Sequence, residues 1–333
     1  MPENKMTAEY LIPISKNEVT RFTPLPADFY IKLGDDNFVL AGRRGDKALQ
    51  DLQSLKKDSS IFELFVRREE YKNCVGASLQ IAEVVISYNE ISDLKKVSFL
   101  FSCSEQVFKE LAELGFSHET MAHSQHVSRS LITLIAARED LNTLLSTLAD
   151  QDDELVKHSM SVSAVSVAIA WQMGWTIQAT LEKLALGGLL HDIGMKEIPP
   201  EIAIKPRFNM NATEVRTYES HVSRSVEILS QMPSVPAEVI AVAMEHHENA
   251  LGQGYPRHLR DVKMNPFSKI VALADTFCEL SLKSPSNPVP RTAVDAVKLI
   301  ELAMGQPFSK PAFQGLKQAL SITGKAKGFR KAA

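Results

Sequence analysis

A chain of 333 residues is long for one typical domain and suits two, at roughly 150 residues each. Its formal net charge of -3 excludes a dedicated nucleic-acid or anionic-membrane surface, because such surfaces need clustered Lys and Arg to neutralise phosphates. With 44% hydrophobic and 23% charged residues and no block of like charge, the composition is that of an ordinary folded protein, so no disordered tract is expected.

The first residues, "MPENKMTAEYLIPISK", lack the apolar core of a signal peptide, and no later run approaches the roughly 18 apolar residues of a membrane span. Cys74, Cys103 and Cys278 are odd in number and far apart, which fits buried thiols in a reducing compartment. A cytoplasmic protein with no nucleic-acid or membrane partner is expected. "EYLIPI", "DFYIKL" and "NFVLAG", separated by Pro, Gly, Asp and Asn, read as short strands joined by turns. "IFELFVRREEY" reads as a further strand entering a helix, and the spacing turns helical after Gly76. A helix is predicted from a capping Ser92 to a stop at Gly115, and another over "SHETMAHSQHVSRSLITLIAARED".

From about Asp150 every segment reads as helix. One starts near Asp153 and stops at Gly174; "NATE" at 211–214 resembles a capping box; Pro236, Pro266 and Pro311 stand where first helical residues are expected. The expected fold class is therefore mostly α, with an N-terminal α+β domain over 1–148 of regulatory role and an all-helical domain of six or more helices over 149–333.

Five of the nine histidines, His158, His191, His221, His246 and His247, fall in this helical half. Any one of them alone reads as a half-buried residue with a single hydrogen bond. As a set they coincide with two acids in expensive places: Asp192 follows the apolar run "LALGGLLH", and Asp275 interrupts "KIVALADTFCEL". A buried unpaired carboxylate costs several kcal/mol, and clustered imidazoles have little use without a cation. A metal site answers both problems. Imidazole and carboxylate without thiolate suit iron, manganese or zinc. These side chains plus water exceed one tetrahedral or octahedral shell, whereas a shared aspartate can bridge two ions roughly 3.5–4 Å apart.

Adjacent residues on a helix diverge by about 100°. His246 and His247 therefore either converge at a frayed C-terminal turn or reach different points of a two-ion site. Glu154, four residues before His158, reads as a further ligand or as one of the acids that favour a helix start. The glycines of "GQGYP" at 252–256 serve either a close backbone approach to ligand or a helix stop and turn. His118, His123 and His126 read as a polar surface, and Trp171 and Trp175 as packing residues.

These segments together resemble the HD-GYP group of the HD-domain metal-dependent phosphohydrolases. The resemblance rests on "HDIG" at 191–194 with "IPPEI" after it, on His221 in "ESHVSRSVEIL", on "HHE" at 246–248 with "GQGYP", and on "ALADTF" with Asp275, in order over about 154–315. It implies a helical bundle that holds two or three divalent metals, commonly iron or manganese, and hydrolyses the bacterial second messenger cyclic di-GMP or a related nucleotide. It implies His158, His191, Asp192, His221, His246, His247 and Asp275 as metal ligands, Asp192 bridging, and Glu154 as the extra carboxylate of three-metal members. Asp192 and Lys196 are then the expected catalytic residues, with Gly254, Tyr255, Pro256 and Lys205 against the substrate.

The chain departs from the group at three places. Met195 stands where members carry the lysine of HDIGK, Lys196 following one step later. Leu251 replaces an aspartate before the first glycine of the loop. "LKSPSNPVPR" replaces an Arg-Pro-Tyr-Arg segment whose Arg and Tyr contact substrate, leaving Lys283, Arg291, Lys205 and Arg207 as substitutes. An enzyme of this kind, and an HD-GYP-like receptor or adaptor with weak or lost hydrolysis and signalling protein partners, are the two expectations that follow.

Overall fold

The structure, a computed structural model, describes residues 8–34, 37–49, 63–137, 141–232 and 234–321. The first seven residues, the start of "IFELFVRREEY" and the closing "RED" of the second predicted helix lie outside them.

The strand-like pieces form one antiparallel sheet in the order β1-β4-β2-β3, from β1 (Leu11–Ile14), β2 (Phe29–Gly34), β3 (Asn37–Gly42) and β4 (Leu64–Arg67). Its alternation sorts the side chains. Ile12, Ile14, Phe29, Ile31, Leu64 and Val66 enter the main core, while Leu11, Tyr30 and Phe65 form a small cluster on the opposite face. A single-turn helix, α1 (Lys16–Val19), follows β1 with Ser15 and Glu18 making a reciprocal capping box.

The sheet packs beside α2 (Tyr71–Ser87), α3 (Asp93–Leu114) and α4 (His118–Ala136). The second of these has Ser92 at its N-cap and Gly115, at φ 76°, past its end. Helical structure begins at Tyr71, where "IFELFVRREEY" reads as a strand entering a helix, and Gly76 lies inside α2 rather than at its border. A glycine within a helix reads as punctuation when only the sequence is in view.

The remaining helices are α5 (Leu141–Ala149), α6 (Glu154–Gln172), α7 (Gln178–Leu190), α8 (Pro200–Ala203), α9 (Ala212–Gln231), α10 (Ala237–Glu245), α11 (Pro266–Ser281), α12 (Ala293–Lys298) and α13 (Lys310–Ala319). Asp153 caps α6 by accepting from Val156 N, and Asn211 with Glu214 makes the capping box of α9. Pro266 is the first residue of α11, whereas Pro236 caps α10 and Pro311 is the second residue of α13. Buried residues of 1–148 and of 149–333 belong to one continuous apolar cluster. Among the described residues no helix is long and apolar enough to cross a membrane.

The centre of the helical half is α6, buried on nearly all sides from Val156 to Ala170. Its serines let α7 come close: a Cβ on Gly188 would stand 2.7 Å from Ser163 Cα, and Ser163 donates to the Ala185 carbonyl at 2.8 Å. That approach carries His158 near the C-terminal end of α7, where His191 and Asp192 lie.

Candidate metal centre

Five structural elements deliver seven side chains to one place. His158 comes from the first turns of α6. His191 and Asp192 come from the end of α7, where the chain tightens into a 3-10 turn over Ile193–Glu197. His221 comes from the middle of α9, Asp275 from α11, and His246 and His247 follow the last residue of α10. One group of donor atoms from Asp192, His221, His246 and His247, and a second from His158, His191 and Asp275, each fit within 4.8 Å.

The two carboxylates are shared between the groups. Asp192 Oδ1 lies 3.3 Å from Nε2 of both His221 and His246, while its Oδ2 lies 3.5 Å from His191 Nε2 and 3.8 Å from His158 Nε2. Asp275 turns Oδ1 to His158 Nε2 at 3.0 Å and Oδ2 to His247 Nδ1 at 3.4 Å. The adjacent histidines converge because α10 ends at Glu245, and their rings stand 4.2 Å apart in the irregular turn beyond it.

The ring orientations are set from behind. Nδ1 of His191 bonds the Gly188 carbonyl at 2.8 Å, Nδ1 of His221 the Tyr218 carbonyl at 2.6 Å, and Nδ1 of His246 the Ala243 carbonyl at 2.9 Å. A carbonyl only accepts, so each Nδ1 carries a proton and each Nε2 is the atom turned to the centre, free to ligate once it is deprotonated. His191 Nε2, His247 Nε2, Asp192 Oδ1 and both oxygens of Asp275 are buried without a hydrogen-bond partner. Buried acceptors gathered in this way have no internal solution, and a divalent cation supplies one. The donor set fits a metal.

Burial by itself depresses His191, but the Asp192 and Asp275 carboxylates overcome it and hold its pKa at about 9. Burial, reinforced by His246, holds His247 well below the imidazole range, and burial also lowers His221. Asp192 is held well below the carboxylate range by His191 and His221 despite its burial. Metal entry must then displace a proton from His191 at any pH below about 9, whereas His221 and His247 are already neutral near pH 7. Apparent metal affinity is accordingly expected to rise between about pH 6.5 and 9, by up to about tenfold per unit for one released proton, and then to level. Metal titrations across that range check this, and a flat profile contradicts it.

The family described as HD domain matches residues 142–308, a span that contains all seven of these side chains. The chain belongs to the HD-domain family. Its HDIG and GQGYP segments resemble those of the HD-GYP group of that family. The chain is 31% identical to a cyclic di-GMP phosphodiesterase of Thermotoga maritima, over 54% of this chain and 49% of the relative. It is 30% identical to cyclic di-GMP phosphodiesterase PA4108 of Pseudomonas aeruginosa, over 52% and 41%, and 32% identical to 3'3'-cGAMP-specific phosphodiesterase 1 of Vibrio cholerae, over 43% and 32%. It thus spans about half or less of the length of these relatives. The fold is also that of Bd1817, a HDG"Y"P protein from Bdellovibrio bacteriovorus, with a TM-score of 0.66 and 18% identity over 93% of this chain and 99% of that one.

Two glycines of the HD domain are required by close packing. A Cβ on Gly194 would stand 2.3 Å from the His221 carbonyl oxygen and 2.5 Å from Ser225 N, and Gly194 N donates to Ser225 Oγ at 2.9 Å. A Cβ on Gly254 would stand 2.2 Å from the His247 carbonyl oxygen. The backbone that the GYP loop approaches is therefore the histidine turn itself. Tyr255 N donates to the His247 carbonyl at 3.2 Å, and the Tyr255 ring stacks on the His247 ring at 4.6 Å. Pro256 follows across a cis peptide bond.

Glu248 anchors this loop, a role its position after the histidines did not disclose. Its buried carboxylate accepts from Arg257 N at 2.6 Å and Leu259 N at 2.9 Å. Glu245 likewise accepts from Asn265 N at 2.7 Å, tying the end of α10 to the start of α11. Glu248→Gln, which offers one acceptor oxygen for two donors, is expected to cost about 1.5–3 kcal/mol and to loosen the loop. Thermal unfolding with limited proteolysis at 251–257 checks this.

Other expected site residues stand elsewhere. Lys196 donates to the Phe108 carbonyl of α3 and lies 5.2 Å over the Phe108 ring, because the 3-10 turn after Asp192 directs it at the N-terminal half. Lys205 is held by both oxygens of Glu214 at 2.8 and 2.9 Å. Glu154 pairs with Lys157 at 2.7 Å and joins neither ligand group. His123 and His126 face separate carboxylates, Glu110 at 2.7 Å and Glu83 at 3.1 Å. Trp175 packs edge-on against Phe267 at 5.4 Å.

The segment "LKSPSNPVPR" closes the end of α11. Asn287 Nδ2 donates to the carbonyls of Glu279, Leu280 and Leu282 at 2.8, 3.3 and 3.1 Å, and Arg291 N donates to the Leu280 carbonyl at 2.9 Å. These bonds satisfy carbonyls that a helix end leaves open. Leu251 is half exposed and bridges Arg260 across the loop.

Proposed function

We propose that the HD centre hydrolyses a cyclic dinucleotide, cyclic di-GMP, with two divalent iron or manganese ions. The observation that carries this reading is Asp192, whose two oxygens face different histidine groups as a bridging carboxylate requires. His158, His191 and Asp275 would hold one ion, and His221, His246 and His247 the other. Glu154, engaged with Lys157, favours two ions over three.

When bound, such ions lower the pKa of water to near neutrality and offset charge on the phosphodiester. The chain's own contribution is position. Carbonyls behind His191, His221 and His246 keep their protons on Nδ1 and hold the rings still, so little reorganisation is left for the reaction. Tyr255 stacks on His247 and holds that ring in place from its outer face.

The names of the Thermotoga and Pseudomonas relatives support cyclic di-GMP, and that of the Vibrio relative widens the class to cyclic dinucleotides. Residues 1–148 are proposed to act as the regulatory part, with the Lys196 to Phe108 bond as a direct link between that part and the HDIG turn. Signalling proteins would be its partners. Incubation of iron- or manganese-loaded protein with cyclic di-GMP is expected to yield linear or mononucleotide product. No turnover with either metal overturns the reading.

One observation favours a second reading, a receptor that binds the nucleotide with weak hydrolysis: both lysines expected at the substrate are engaged elsewhere. Calorimetry that finds binding without turnover would select it.

A further inference from the structure

The missing Arg-Pro-Tyr-Arg segment leaves this centre without an evident cation for the substrate's phosphates, and four basic residues could fill that role. Lys205 is bound by Glu214, while Lys283 and Arg291 lie in the exposed segment that closes α11. Arg207 differs from all of them. It sits in a short turn, Arg207–Asn209, just before α9, and its guanidinium carbon lies 4.7 Å from the centre of the Tyr255 ring. Two aromatic neighbours of Tyr255 belong to the metal centre: His247, stacked 4.6 Å away, and His221, edge-on at 6.4 Å. Among the described residues, Arg207 is the one cation in contact with a ring that itself rests on a metal ligand.

The chemistry of the contact suits phosphate. A guanidinium on an aromatic face keeps its planar fork of N–H donors oriented, and such a fork pairs with phosphate oxygens more specifically than an ammonium does. Arg207 uses Nη2 for an ion pair with Glu219 of α9, a residue two positions before His221. Arginine has five N–H donors, so this pair leaves others for a second anion. The side chain is 48% exposed, so an incoming ligand can reach it.

We propose that Arg207 is the substrate-positioning cation of this centre, its guanidinium on Tyr255 binding a phosphate oxygen of the nucleotide in place of the absent Arg and Tyr. The proposal rests on the cyclic dinucleotide reading above and names the residue that orients such a substrate. Glu219 holds Arg207 in the free protein and competes with phosphate for it.

The test uses full-length, metal-loaded protein and two probes, cyclic di-GMP and bis(p-nitrophenyl) phosphate, a small phosphodiester with no second phosphate to anchor. Loss of a charged hydrogen bond predicts that Arg207→Ala raises KM and the calorimetric Kd for cyclic di-GMP roughly 10- to 100-fold, with a much smaller change in kcat. The loss with bis(p-nitrophenyl) phosphate should be smaller by at least about tenfold in kcat/KM. Arg207→Lys should recover only part of the affinity, and Glu219→Gln should lower KM by freeing the guanidinium. Unchanged KM and Kd in Arg207→Ala, or equal losses on both probes with falling metal content, overturn the proposal. The second pattern would mark Arg207 as a structural support for Tyr255. If wild-type protein binds cyclic di-GMP without turning it over, the hydrolytic reading fails alone, and Arg207 is still decided by the Kd series. If wild type does not bind it, both fail.

Discussion

Asp192→Asn is expected to abolish turnover and strip metal from the protein. The side chain is close to isosteric, so packing is retained, but the amide replaces one carboxylate oxygen with an NH2 group that carries hydrogens and cannot ligate. Asp192 spans both groups, with Oδ1 3.3 Å from His221 and His246 and Oδ2 3.5 Å from His191. Whichever way the amide turns, one group loses its shared acceptor and faces an N–H instead. Several kcal/mol of charge stabilisation resides in such metals, which corresponds to a loss of about 10³-fold or more in the proposed cyclic di-GMP hydrolysis. Elemental analysis of purified protein should show metal content falling with activity, while circular dichroism stays that of wild type. A variant that retains both metal and turnover would remove Asp192 from the bridging role.

Gly194→Ala is the second large effect, and it acts through the backbone. The new methyl would stand 2.3 Å from the His221 carbonyl oxygen and 2.5 Å from Ser225 N, so α9 must move away from the HDIG turn. Neither contact is the end of a flexible side chain that could swing aside. Overpacking of this kind costs about 1–3 kcal/mol and can cost more against backbone. Because α9 carries His221, the same displacement pulls its ring away from Asp192. The expected outcome is a lower Tm together with loss of metal. Gly76→Ala is the control: its methyl would meet only His123 Nε2, at 3.4 Å, inside α2. There helix propensity gains about 1 kcal/mol, so stability should hold or rise. Equal behaviour of the two variants would refute the packing argument.

Most of the secondary structure was legible because its signals are local. Asn211 followed by Glu214, and Gly115 at positive φ, mark helix ends by hydrogen bonds and sterics that involve only near neighbours. The errors have the same origin. Helical spacing is read from after Gly76, which itself lies in α2, and Pro236 and Pro311 are each one position from the expected place, since prolines are tolerated at several positions of a first turn.

That these seven His and Asp side chains gather at one place was legible for a different reason. Histidines and buried acids are costly unless paired, so their presence in apolar helices announces a shared partner. Glu248 and Glu245 escaped notice because their partners are backbone N–H groups at Arg257, Leu259 and Asn265, and a backbone donor leaves no mark in composition or spacing. Lys196, one position from a motif lysine, points to Phe108 through the hand of a 3-10 turn, which residue types alone do not specify.

By itself, then, the sequence determined which residues must meet: costly polar groups in apolar helices, and helix ends marked by caps, are properties of single residues and their near neighbours. What only the tertiary structure decided is which atom faces which. That Asp192 divides its oxygens between two histidine groups, that Gly254 yields to the His247 carbonyl, and that Arg207 lies on Tyr255 while Lys205 lies on Glu214 all depend on how α7, α9 and α10 approach one another. The physical reason is that local interactions reach about one helical turn, whereas the contacts that aim a side chain at this centre join segments far apart in the chain and exist only once the core has closed.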